Sequence, residues 1–250
     1  MGLGPEKLAL RIDDIGASSK QHLYYTKRWY SNWGPLRDRR LFGHWAPYRE
    51  MTAADWSQIF KILERFRAKL TVGVTATWVE DDGTLVPFPE RFPEEAAALG
   101  DGLARGLLEI ANHGLTHCVL VDNQFQRKPL YGTNRLFHRE FWDYLAAETH
   151  YDHLARAQQV LTGYFKVEIT TLVPPGNVYS AKTLAACQRL GIRTVNCERP
   201  TIFAGETPRV IGDDNVIPFH DREIAKFGTG WLEAKLRALP RPPQRFIRDL

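Results

Sequence analysis

Residues 7–16 read KLALRIDDIG. A short, mostly apolar run leads straight into two adjacent acids. That is the signature of a strand buried on both faces that delivers polar side chains at its C-terminal end. Working outward, the same event recurs. Residues 107–111 (LLEIA) stop at Asn112 and His113, and residues 168–173 stop at Pro174 and Pro175 just before Asn177. Residues 215–219 stop at His220, while 70–74 (LTVGV) and 193–196 read as further strands. Between the strands the apolar period becomes helical. Trp56, Ile59, Phe60, Leu63 and Phe66 follow a Thr52/Asp55 cap, and residues 94–105 form a short helical segment. Residues 141–165 predict a long helix with Phe141, Tyr144, Leu145, Leu154, Val160 and Leu161 on its stripe, and residues 180–190 another, ended by Gly191. Residues 85–93, alternating proline and phenylalanine, read as loop.

Alternating strands and helices at this spacing predict parallel strands with crossover helices, an α/β fold. In barrels of that kind the loops after the strand ends build the site. The residues able to do chemistry stand at those positions, which points to an enzyme.

Composition sets the outer bounds. A length of 250 residues suits one domain over 1–250. With 44% hydrophobic and 25% charged residues, a disordered or fibrous chain is excluded. The net charge of +4 permits an anionic sugar as partner, but Lys and Arg are scattered, so nucleic acid is not indicated. Cys118, Cys187 and Cys197 stand far apart without a CxxC pair, which argues against a cysteine zinc site and fits a reducing compartment. No apolar run approaches the roughly 20 residues of a membrane span. MGLGPEKLAL lacks the pattern of a secretory leader. The expectation is a cytoplasmic protein. Residues 237–248, arginines among prolines, read as a solvated tail.

Two short motifs carry the chemistry. In His113-Gly-Leu-Thr-His117 two imidazoles four residues apart reach one ion if the segment turns helically. Thr116 and Asn112 are small polar neighbours suited to fixing the ring tautomers. Asp13 and Asp14, adjacent at a strand end, should point to opposite sides, one to hold a cation and one to take a proton from water. Alone, either motif is also what chance histidines or an acidic turn would show.

Together they resemble the polysaccharide deacetylase (NodB homology, carbohydrate esterase family 4) family. LRIDDIG (residues 10–16) resembles its TFDDG-type first motif, and NHGLTH (112–117) its HxxTH-type second. LVPPG (172–176) resembles its RxPxG-type third, and VIPFHD (216–221) its last, a strand ending in LxH. All four occur in the family's order across residues 8–223. The resemblance implies an incomplete (β/α)7 barrel and a metal-dependent hydrolase removing an N-acetyl or similar acyl group from a sugar or glycan intermediate. It implies one divalent ion, usually zinc, on Asp14, His113 and His117, with Asp13 as general base and His220 as general acid. Such an ion lowers the pKa of bound water to around 7 and polarises the carbonyl oxygen. Other readings on the same fold are a glycan-binding pseudoenzyme and a deacylase or deformylase of a non-polymer substrate.

The departures matter. Val173 stands where the third motif has an Arg that orients the catalytic Asp, and Ile15 precedes Gly16. Arg11 lies two residues before Asp13, on the same side of the strand, and is either the replacement for that Arg or a residue of the barrel's polar rim. Pro175 and Asn177 follow at the mouth, Asn177 either as a substrate or oxyanion contact or as a turn residue. About residues 17–50 form an insertion crowded with aromatics, Trp45 among them, and arginines. Rings stack on sugar faces and Arg pairs with phosphate or carboxylate, so the insertion either shapes a pocket for a charged sugar or is a packed lid. Trp78, after the second strand, is a further candidate to line the mouth.

Overall fold

The computed structural model describes residues 8–22, 48–80, 82–118, 139–201 and 208–250. Trp45 and most of the aromatic insertion lie outside these residues. In chain order the elements are β1 (Ala9–Ile15), α1 (Ser19–His22), α2 (Ala53–Phe66), β2 (Leu70–Val74), β3 (Thr77–Val79), β4 (Leu85–Pro87), α3 (Phe88–Arg91), α4 (Pro93–Ala104) and β5 (Leu108–Asn112). They continue as α5 (Ala147–Phe165), β6 (Thr171–Leu172), α6 (Ala181–Arg189), β7 (Thr194–Asn196), β8 (Arg209–Ile211), β9 (Val216–His220), α7 (Asp221–Phe227) and α8 (Gly230–Arg237). Among the described residues, seven strands form one sheet in the order β8-β7-β6-β5-β2-β1-β9. Every pairing in it is parallel. Helices cover its outer face, giving the incomplete (β/α)7 barrel that the motifs imply. No helix of the described residues is long and apolar enough to cross a membrane.

The outer face is a packed apolar layer. Leu10, Ile12, Leu70, Val72, Leu108 and Ile110 meet Trp56, Ile59, Phe60 and Leu63 of α2, Leu99 of α4 and Leu161 of α5. Each large side chain that leaves water contributes about 1.5–3 kcal/mol, which sets the helices against the sheet. The capping box that starts α2 is present: Asp55 N donates to Thr52 Oγ1, and Thr52 N donates to Asp55 Oδ2 at 2.8 Å.

Three local readings need correction. The long helix begins at Ala147, not 141. Phe141 instead caps a second apolar cluster with Leu154, Leu184 and Cys187, and Tyr144 is exposed. Residues 85–93 are not loop: β4 pairs antiparallel with β3, and Pro89 and Pro93 sit in first helical turns, where a missing N–H costs nothing. The arginine-rich C-terminal stretch is not a solvated tail. Phe246 and Ile247 are buried, Arg245 N donates to Leu8 O at 3.1 Å, and Lys69 N donates to Pro243 O at 3.0 Å. This segment closes the N-terminal end of the barrel.

The inner face of the sheet is polar. Arg11, Thr71 and Glu109 are register neighbours on β1, β2 and β5. Glu109, 2% exposed, accepts from the hydroxyls of Thr71 and Thr171, both at 2.6 Å. Burial pushes its carboxyl up, and the two hydroxyls only partly oppose this. A carboxyl raised in the folded state adds stability below its unfolded pKa and loses it as pH rises through the folded value. Glu109→Gln, whose amide still bridges two hydroxyls, is therefore expected to raise Tm relative to the native protein more at pH 8 than at pH 4. Equal shifts at both pH values would show that folding does not raise the Glu109 carboxyl.

Candidate metal and catalytic centre

The polar residues gather at the C-terminal ends of β1, β5 and β9. A bulge interrupts the β1–β2 register between Ile12 and Ile15, and Asp14 takes a left-handed φ of 71°. The bulge overrides the alternation of a regular strand. Asp13 and Asp14 therefore both serve the same centre instead of facing opposite sides. A Cβ built at Gly73 would stand 3.4 Å from Asp13 Oδ1 and 3.4 Å from the His113 ring, so these two side chains share the space above β2.

Asp14 Oδ1 lies 3.3 Å from His113 Nε2 and 3.0 Å from His117 Nε2. The three candidate ligand atoms all fall within 4.8 Å of one another. His113 and His117 are each under 4% exposed. His113 Nδ1 is 2.6 Å from the carbonyl of Val173, which can only accept, so Nδ1 carries a proton. In the neutral ring Nε2 then presents its lone pair to Asp14. Lone pairs crowded this closely repel unless a cation or protons lie among them. Burial would raise the Asp14 carboxyl, but where a proton lies between them, hydrogen bonds donated by His113 and His117 hold it well below the usual carboxylate range. Burial would lower His113, yet Asp14 and Asp13 carry it above its ordinary value. Two imidazole nitrogens and one carboxylate are a donor set that suits a divalent ion, zinc included.

The tautomers are not set as the sequence suggested. Asn112 Oδ1 accepts from Gly114 N, and Thr116 Oγ1 closes a turn with Cys118, so both brace the loop. The Val173 carbonyl and, at 3.4 Å from His117 Nδ1, the Ser19 hydroxyl face the rings. Nor is the His113–His117 segment helical. It is a loop with positive φ at Gly114 and His117.

Arg11 meets Asp13. Its Nε donates to both carboxylate oxygens, at 3.0 and 3.1 Å, and its Nη1 donates to Asp213 Oδ1 at 2.8 Å and to Asn196. Asn196 Nδ2 also donates to Asp213 at 3.0 Å. These partners come from β7 and the turn between β8 and β9, so the network spans the seam of the barrel. Arg11 is 2% exposed and its pKa is raised: burial opposes its charge, and Asp13 and Asp213 outweigh that. Arg11→Ala leaves two carboxylates without their counter-charge. It is expected to lower the free energy of unfolding in urea by about 3 kcal/mol or more, and Arg11→Lys should recover only part because it lacks the fork.

A second buried network supports the turn after β1. Lys20 Nζ contacts Glu50 at 2.5 Å and also Asp221, Tyr48 donates to Asp221 at 2.8 Å, and Gly16 N donates to Glu50 at 2.9 Å. It ties β1 to the start of α7, directly after His220. His220 pairs in register with Asp13, and its side chain is 41% exposed, with Nδ1 3.8 Å from Glu223.

The remaining candidates divide. Pro175 is buried beside the loop that carries His113 and His117, 2.9 Å from a Cβ built at Gly114. Asn177, at φ 56°, accepts from Glu198 N at 3.0 Å and so braces a turn. Trp78 does not line the mouth: it is 1% exposed, edge-on to Phe92 at 5.2 Å and under Arg91, because β3 folds into a hairpin over the helix that follows. Sequence reasoning missed Asn196, Asp213, Lys20 and Glu140, whose partners lie far away in the chain.

A family model described as polysaccharide deacetylase matches residues 48–195. The chain belongs to the polysaccharide deacetylase family. No curated protein sequence matches it. Among solved structures it is similar to a family 4 carbohydrate esterase from Streptomyces lividans in complex with acetate (11% identity, TM-score 0.48, 94% of this chain and 90% of that one). It is also similar to a deacetylase domain from Bordetella bronchiseptica (16%, TM-score 0.46, 68% and 69%). A third is a CE4 family pseudoenzyme from Bacillus anthracis (11%, TM-score 0.45), where the match takes in 95% of this chain and 64%, under two thirds, of that one.

Proposed function

We propose that this protein is a metal-dependent deacetylase that removes an N-acetyl or similar acyl group from a sugar or glycan intermediate. The carrying observation is the convergence of Asp14, His113 and His117 within 4.8 Å at the open end of the barrel, beside Asp13. When bound there, a divalent ion such as zinc supplies Lewis acidity toward the acyl carbonyl and makes water acidic enough to react near neutral pH. Asp13 takes up the proton of the attacking water on its carboxylate, which Arg11 holds in place through two hydrogen bonds. His220 gives a proton from its ring to the leaving nitrogen, and Glu223 stands close enough to balance the charged ring. The acyl carbon gains the oxygen of water, the C–N bond breaks, and the products are a carboxylic acid and a free amine.

The test compares chelator-treated protein with the same protein reloaded with zinc, on N-acetylglucosamine oligomers and on formylated and O-acetylated analogues. On the N-acetylated oligomers acetate and new amine should appear in equal amounts, only in the reloaded sample. Protein holding one ion per chain that releases no acyl group from any of these would overturn the reading in favour of a glycan-binding role.

A further inference from the structure

We infer that Glu140 is the positioning residue that shapes the metal loop, an inference that rests on the metal reading above. Glu140 is 1% exposed and comes from a segment outside every family motif. Three successive backbone N–H groups of the loop point at its carboxylate: Leu115 N donates to Oε1 at 3.0 Å, and Thr116 N and His117 N donate to Oε2 at 3.3 and 2.9 Å. Backbone N–H groups that converge in this way form an anion-holding nest. Here the anion is built into the chain; His117 is the last residue of the nest, and His113 lies two residues before its first N–H.

Two further observations tie the loop to this carboxylate. Gly114 has φ +83°, and a Cβ there would stand 2.1 Å from Glu140 Oε2, so the loop passes over the carboxylate only because residue 114 lacks a side chain. His117 is itself at φ 58°, a conformation that a non-glycine residue keeps only when its surroundings enforce it. The N–H of His117 is one of the three that Glu140 holds. On its far side, His153 of α5 donates from Nδ1 to Oε1 at 2.6 Å, which fixes the carboxylate against a helix. Glu140 thus orders the spacing of His113 and His117 without touching the ion or the substrate.

The experiment measures zinc affinity by competition with a chromogenic chelator in four proteins: wild type, Glu140→Gln, Glu140→Ala and His113→Ala. Leu161→Ala, a core variant, serves as a control for lost stability. Loss of a group that orients metal ligands typically costs about 10–100-fold in metal affinity, which is the change expected for Glu140→Ala. Glu140→Gln, which keeps one accepting oxygen and the shape, should fall between it and wild type. Faster amide exchange at Leu115, Thr116 and His117, and a changed d–d spectrum of the cobalt form, should accompany the loss. Zinc affinity unchanged in both Glu140 variants while His113→Ala binds none overturns this inference alone. The same holds if Leu161→Ala weakens zinc as much at a matched Tm. Wild-type protein that binds no zinc overturns this inference and the metal reading together.

Discussion

His113→Ala protein is expected to purify without a stoichiometric divalent ion, where wild type carries about one per chain, by mass spectrometry of the metal content. Removal of one nitrogen leaves Asp14 and His117 as a two-donor set, one short of the three protein ligands that hold a catalytic ion. The ion is asked to supply several kcal/mol of charge stabilisation, so turnover should fall by about three orders of magnitude or more. The fold should survive. His113 stands at the open end of the barrel, and the apolar layer that holds the helices lies on the other face of the sheet. Retention of metal in this variant would remove the Asp14–His113–His117 assignment.

The second large effect separates proton transfer from metal binding. Asp13→Asn should keep its zinc, since the ion's ligands are untouched, while kcat falls by about 10²–10⁴-fold, the range for losing a positioned general base. Asn also replaces a carboxylate to which Arg11 donates twice, so part of the Arg11 charge is left to Asp213 alone. A kcat near wild type with zinc retained would mean that another group takes the proton, and His220 would be the next residue to change.

Much of the architecture was legible because it is local. Strands that end in acids or histidines, a capping box at Thr52 and Asp55, and apolar periods of two kinds are all written within a few residues. The helix start at 141 failed for a related reason. Phe141 is buried, so its apolar character was read correctly, but it packs from an irregular segment and not from a helical stripe. Trp78 failed differently: an aromatic near a strand end looks the same whether it faces sugar or core, and only the β3–β4 hairpin decides.

The sequence by itself determined six of the seven strands of the sheet and the four longest helices between them, the family, and the acids and histidines that meet at the mouth, because each rests on a short pattern or a motif of contiguous residues; β8 and the β3–β4 hairpin were not read from it. The pairing of Arg11 with Asp13 was also within reach, since two residues apart on a strand means the same side. The tertiary structure alone decided that a bulge turns both aspartates to one centre, and that the Val173 carbonyl sets the His113 ring. It also decided that Asn196 and Asp213 complete the Arg11 network and that Glu140 accepts from three N–H groups of the loop between His113 and Cys118. Each of these depends on a contact between residues remote in the chain or on a departure from regular strand geometry. Hydrogen-bond partners of that kind are chosen by the packing of whole elements, and no local pattern of residue types encodes the choice.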